Sequence, residues 1–140
     1  MEILELNNLT DKNIEDLLGL MKELDPVKVV TPEMLRAAAA DSSTHLFAAV
    51  EDGRIIGCAS LCLTRHPLGL KGGIEDVVVS SACRGRGMGR KLMEHIIGYA
   101  RGLAPVELAL TSRPAREKAN LLYQAVGFQR YETNVYKLKI

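Results

Sequence analysis

From Gly73 to Gly102 the chain reads without a break as strand, glycine-rich turn and helix. Gly73 to Val79 is a strand, apolar apart from Glu75 and Asp76, that ends in Val77-Val78-Val79, and Arg84 to Gly89 carries glycines at alternate positions. Met88, Leu92, Met93, Ile96, Ile97, Ala100 and Leu103 then keep helical spacing to Gly102, a residue type suited to ending a helix. A strand that passes straight into a helix commits the chain to a crossover. The next strand, Val106 to Thr111, is therefore expected as a parallel neighbour of Gly73 to Val79, reached by a right-handed connection.

The remaining punctuation yields a mixed α/β (α+β) domain. Glu2 to Leu9 alternates as a first strand, and Thr10-Asp11 opens a helix whose Ile14, Leu17, Leu18, Met21 and Leu24 share one face until Pro26. Thr31 and Pro32 open a second helix that runs to Asp41. His45 to Val50 and Arg54 to Thr64 form a hairpin whose Asp52-Gly53 turn supplies positive φ. Glu117 to Val126 reads as a helix ended by Gly127, and Phe128 to Ile140 as one or two terminal strands. The expected order is βααβββαβαβ(β), with a mixed, mostly antiparallel central sheet flanked by helices.

A length of 140 residues with 47% hydrophobic and 25% charged content suits a single domain, 1–140. Lys plus Arg total 18 and Asp plus Glu 17, a formal charge of +1, which gives no bulk reason to bind nucleic acid. No apolar run has membrane-spanning length, and Met1 to Glu5 lacks the positive start of a secretion signal, so a cytoplasmic protein without membrane partners is expected. Three cysteines, with Cys58 and Cys62 four apart in an apolar run, suggest reduced thiols and neither disulfides nor a zinc site.

Chemistry concentrates at Arg84-Gly85-Arg86-Gly87-Met88-Gly89-Arg90. A helix opening directly after a strand presents free N–H groups and the positive end of its dipole, which together bind phosphate. Glycines let the main chain approach the anion, and Arg84, Arg86, Arg90 and Lys91 add charge. The spacing departs from a dinucleotide fingerprint, because Arg90 stands where the third glycine belongs, and a Walker lysine is absent. A nucleotide-binding switch is accordingly disfavoured. What remains, Arg/Gln-x-x-Gly-x-Gly/Ala, resembles the GNAT superfamily of N-acetyltransferases. Leu121-Leu122-Tyr123-Gln124-Ala125-Val126-Gly127-Phe128 is similar to that family's second motif, and the resemblance covers about residues 44 to 136. Within the family, Gly73 to Val79 is similar to the corresponding strand of glucosamine 6-phosphate N-acetyltransferases.

The resemblance implies a GNAT fold that uses acetyl-CoA as co-substrate and transfers acetyl to a primary amine of a small molecule or protein. It implies that Val77, Val78 and Val79 form the strand along which the pantetheine arm pairs, and that Gly85, Arg86, Gly87, Met88, Gly89 and Arg90, with Arg84, hold the pyrophosphate. Tyr123 is the candidate acid for the leaving thiolate, with packing in the core as its plainer reading. Glu75 and Asp76 are candidate bases for the amine, with a salt bridge to Lys71 or an arginine as the competing role. Regular strand geometry would place Glu75 on one face with Val77 and Val79, and Asp76 on the other. Arg113 and Arg116 replace the asparagine common in the family and suit a coenzyme phosphate, an acidic substrate or a solvated loop. His66 is a loop histidine that suits the acceptor site or plain exposure, His45 and His95 read as structural, and Cys83 lacks a base to make it a nucleophile. No metal is expected, a homodimer is, and an acyl-CoA-binding regulatory module is the alternative to an enzyme.

Overall fold

The computed structural model describes residues 1–140. In chain order the elements are β1 (Glu2–Leu6), α1 (Asp11–Leu24), α2 (Pro32–Ala40), β2 (Thr44–Glu51), β3 (Arg54–His66) and β4 (Gly69–Val79). A short 3-10 turn at Ser81–Cys83 leads to α3 (Met88–Arg101), β5 (Val106–Ala109) and α4 (Glu117–Ala125). One sheet runs β1-β2-β3-β4-β5; its first three pairings are antiparallel and β4 with β5 is parallel, as the crossover requires.

Local chemistry accounts for most boundaries. Thr10 Oγ1 accepts from the Asn13 N–H at 3.1 Å while Asn13 Oδ1 accepts from the Thr10 N–H at 3.1 Å, a reciprocal cap that starts α1. Thr31 Oγ1 accepts from Met34 N at 3.2 Å to start α2, with Pro32 at its first turn. Asp52 (φ 50°) and Gly53 (φ 73°) both adopt the positive φ that a tight hairpin turn needs.

The sheet is covered on both faces. Leu46, Ala48, Cys58 and Val78 meet Leu17, Leu20 and Leu35 of α1 and α2 on one side. Phe47, Leu61 and Ile74 meet Leu92, Met93, Ile96 and Tyr123 of α3 and α4 on the other. Burying each of the larger side chains contributes about 1.5–3 kcal/mol. Two-sided burial explains why β2 and β3 read as continuous apolar runs. No helix is long and apolar enough to cross a membrane.

Four expectations are corrected. β1 stops at Leu6, because β2 ends its pairing at Leu46; Leu9 is buried near α1, where its carbonyl accepts from Arg36 Nη1 at 2.9 Å. β4 begins at Gly69, since His66 and Gly69 still pair and only Pro67-Leu68 forms the turn. β5 ends at Ala109, where β4 turns away from it. The terminal strands over Phe128 to Ile140 are absent: beyond the bond from Phe128 N to the Tyr123 carbonyl, residues 129–140 make no hydrogen bond, and a strand requires a paired neighbour.

Candidate active site

β4 carries one extra residue relative to β3. Cys58 pairs with Val78 while Ser60 pairs with Glu75, so two steps along β3 match three along β4. The bulge falls at Asp76, whose φ of 54° is uncommon for any residue other than glycine. It re-phases the strand: Ile74 and Val77 pack in the same cluster as Tyr123, while Val78 packs on the α1 and α2 side. The expected face sharing of Glu75 with Val77 and Val79 is thereby overturned. β4 and β5 pair only from Leu70–Val106 to Gly73–Ala109. Beyond that point they part, and the edge of β4 from Ile74 to Val79 that would face β5 has no strand beside it.

The parting opens a cleft of about 1430 Å³. Val77, Val78 and Val79 line one wall, Leu110 to Arg113 the other, and the start of α3 closes one end. Its backbone explains the alternating glycines. Gly85 (φ 79°) and Gly87 (φ 76°) adopt left-handed conformations, and a Cβ at either would meet nothing within 4 Å. Gly87 is the N-cap of α3 and offers no side chain, whereas α1 and α2 carry capping threonines. The first intrahelical bond runs from Lys91 N to the Gly87 carbonyl, which leaves the N–H groups of Met88, Gly89 and Arg90 unpaired at the cleft. Gly89 has a different role: a Cβ there would come within 3.3 Å of Leu122, so its absence lets α3 and α4 approach.

The basic side chains of this loop divide. Arg84 lines the cleft and donates from Nε to the Val79 carbonyl at 3.1 Å. Arg86 is turned to the β2–β3 turn, where Nη2 donates to both oxygens of Glu51 at 3.0 and 2.8 Å, and lies outside the cleft. Arg90 lines the cleft but donates to Glu94 at 2.8 Å.

Tyr123 is buried on α4, edge-on to Phe128 with ring centroids 6.4 Å apart. Its hydroxyl has no hydrogen-bond partner in the chain, and the residue lines the cleft. Burial pushes the phenol above its ordinary range, with the Arg116 charge partly opposing, so the group stays protonated at neutral pH. Glu75 and Asp76 line the same cleft, are exposed, and form no ion pair with Lys71 or any arginine.

Tertiary contacts add residues that sequence reasoning missed. Glu23 Oε1 accepts from the Ser81 N–H at 2.9 Å, tying the last turn of α1 to the start of the glycine loop. Hydrogen bonds from Ser81, side chain then backbone, hold the Glu23 carboxyl below its usual range, helped by Arg84. Asp25 accepts from Val27 and Lys28 at 3.1 and 3.2 Å and shapes the α1–α2 loop; these bonds, with the charges of Lys28 and Arg113, lower its pKa. Ser112 Oγ is buried at the cleft with no partner. Only the pairing of residues 58 positions apart links Glu23 to Ser81, so no local signal could have found it.

Arg113 and Arg116 both line the cleft, and their loop is fixed by bonds from Arg116 N and Asn120 Nδ2 to the Arg113 carbonyl at 3.0 Å each. His66 bonds Thr64 at 2.8 Å outside the cleft, His45 bonds Glu5 at 2.8 Å, and His95 packs edge-on to Phe47. Cys83 lines the cleft, while burial lifts the Cys58 thiol to about 12. No group of three or more His, Cys, Asp or Glu side chains converges in the chain.

Comparison with known proteins shows the family and the fold. The model of the acetyltransferase (GNAT) family matches residues 13–128. Glucosamine 6-phosphate N-acetyltransferase of Trypanosoma brucei brucei is 32% identical over 141 residues, covering 92% of this chain and 91% of the relative. Glucosamine 6-phosphate N-acetyltransferase 1 of Oryza sativa subsp. japonica is 33% identical over 107 residues, which cover 69% of this chain and 65% of the rice protein. The solved structure of AAC(6')-Iy, in complex with the bisubstrate analogue CoA-S-monomethyl-acetylneamine, shares the fold with a TM-score of 0.81 at 21% identity, covering 99% of this chain and 97% of that one.

Proposed function

This chain belongs to the GNAT family of acetyltransferases and is an N-acetyltransferase; from that premise we propose that its single domain moves an acetyl group directly from acetyl-CoA to a primary amine. The observation that carries the reading is one cleft holding the free edge of β4, the uncapped start of α3 and the unpartnered Tyr123 hydroxyl. An amide-bearing arm adds to a free strand edge as a peptide strand does, which suits Val77 and Val79. A diphosphate needs several convergent donors, and the N–H groups of Met88, Gly89 and Arg90, with Gly85 and Gly87 opening access and Arg84 adding charge, supply them.

Two proton movements complete the reaction. An alkylammonium, with an ordinary pKa of ~10.4, must lose a proton before it attacks, and Glu75 or Asp76 takes it, directly or through water. The amine nitrogen then bonds the acetyl carbon, and the carbon–sulfur bond breaks. Tyr123 hands its proton to the leaving sulfur. Burial holds the phenol above its ordinary range, so at neutral pH the hydroxyl carries the proton that the sulfur needs.

Among acceptors, an amino sugar phosphate is the first to test. Two curated relatives are named for glucosamine 6-phosphate, and Lys28, Arg113, Arg116 and Lys118 line the cleft with charge suited to a phosphate. Thiol release from acetyl-CoA is measured with glucosamine 6-phosphate, then with aminoglycosides, polyamines, amino acids and peptide N-termini. Turnover with one class supports the reading. Tight coenzyme binding with no turnover on any acceptor refutes amine transfer.

A further inference from the structure

β4 divides the candidate proton-transfer groups between the two sides of the sheet. Cys58 packs with Leu17, Leu20 and Leu35 beneath α1 and α2, and Ser60, two residues further along β3, shares its face. Ser60 pairs with Glu75, and directly opposed residues of an antiparallel pair share a face, so Glu75 stands on the α1 and α2 side. Its Oε1 lies back over Gly73, 3.7 Å from where a Cβ on that glycine would stand. Tyr123 packs on the other side, with Leu92 and Met93. An amine that gives its proton to Glu75 therefore enters from beneath α1 and α2.

That side of the cleft is walled by Met21 and Leu24 of α1, Val30 of the α1–α2 loop, and Met34, Leu35 and Ala38 of α2. No serine, threonine, asparagine or glutamine of α1, α2 or the loop between them lines it. Its two carboxylates are turned to backbone partners, Glu23 to the Ser81 N–H and Asp25 to the N–H groups of Val27 and Lys28 in its own loop. Met34 is 44% exposed on this wall, apolar surface that a ligand could cover. A sugar packed here would leave hydroxyl groups without partners, whereas an alkyl body would remove Met34 and its neighbours from water. We infer, on the amine-transfer reading, that the acceptor is an amine carried on an apolar body, an aliphatic or arylalkyl amine rather than a polyhydroxylated amino sugar, packed against α1 and α2 with its nitrogen at Glu75.

Straight-chain amines from ethylamine to hexylamine have nearly the same basicity, so a rate series on them reads apolar contact alone. With the full chain and saturating acetyl-CoA, kcat/KM for thiol release should rise about fourfold per added CH₂ until the wall is filled, and hexylamine and phenethylamine should exceed glucosamine 6-phosphate by about tenfold or more. Met34→Gln keeps the side-chain length and puts an amide in the wall. It should cut kcat/KM for hexylamine about tenfold and flatten the series, while coenzyme A binding by calorimetry stays within about twofold, which checks that the variant is folded. A flat series, or glucosamine 6-phosphate preferred to every alkylamine, overturns the inference and leaves amine transfer standing. A rising series that Met34→Gln does not flatten overturns the placing of the apolar body on this wall. No thiol release with any amine refutes amine transfer itself, and the acceptor class with it.

Discussion

Gly87 stands where backbone geometry and charge can be separated. Its φ of 76° is left-handed, it caps α3 without a side chain, and a Cβ there meets nothing within 4 Å. Gly87→Ala therefore introduces no clash and only the cost of a left-handed L-residue, about 1–2 kcal/mol of stability. Gly87→Asp adds a carboxylate at the mouth of three unpaired N–H groups. At about 5 Å from one phosphate charge, the repulsion is roughly 0.8 kcal/mol at the dielectric of water and about 3 kcal/mol at an effective value of about 20. That range weakens coenzyme A binding from roughly fourfold to more than a hundredfold, and tenfold or more is expected at this partly enclosed site.

Titration calorimetry with coenzyme A, run beside thermal melts of both variants, separates the contributions. Gly87→Ala should melt a few degrees lower yet bind within about threefold of the parent, whereas Gly87→Asp should lose tenfold or more at a similar melting temperature. A folded Gly87→Asp protein that binds coenzyme A as tightly as the parent refutes the assignment of the glycine loop to the diphosphate.

Tyr123→Phe removes a hydroxyl that has no partner in the chain, so melting should change little while kcat falls ~10²-fold with coenzyme affinity retained. Near-parental kcat when chemistry limits turnover would assign Tyr123 to packing. The Glu23 carboxyl is held below its usual range, so its stabilisation is complete above the ordinary glutamate pKa of 4.5 and is lost as pH falls through the depressed value. Glu23→Gln should accordingly lower the melting temperature at pH 7 while matching the parent well below about pH 4.5, which flattens the acid limb; an unchanged limb would show that the Ser81 contact contributes nothing. Ser112→Ala deletes a buried hydroxyl with no partner and should melt at or slightly above the parent temperature; a drop of several degrees would reveal a structural bond.

Helix starts, the Asp52-Gly53 hairpin, the strand–loop–helix crossover and the left-handed glycines of the loop before α3 are all legible in the amino-acid order, because each depends on side chains and φ preferences within a few residues. Thr10, Thr31 and Gly87 act through their immediate neighbours, so reading them locally was enough. Tyr123 and the two carboxylates were likewise placed at one cleft, through a resemblance rather than through periodicity.

What failed was whatever depends on a neighbour distant in sequence. The extra residue at Asp76 is visible only in the pairing of β4 with β3, and that bulge decides which side Val77 faces, just beyond the last β4–β5 pair at Gly73–Ala109. Arg86 is paired with Glu51, 35 residues earlier, a contact that nothing near either residue in the sequence announces. The alternating pattern of Tyr136, Leu138 and Ile140 announces a strand, yet a strand exists only once its backbone groups find another edge. Local composition determined which segments were able to form helices, turns and strands; tertiary structure decided which edges and charges met, because hydrogen bonds and ion pairs are settled by proximity in space rather than along the chain.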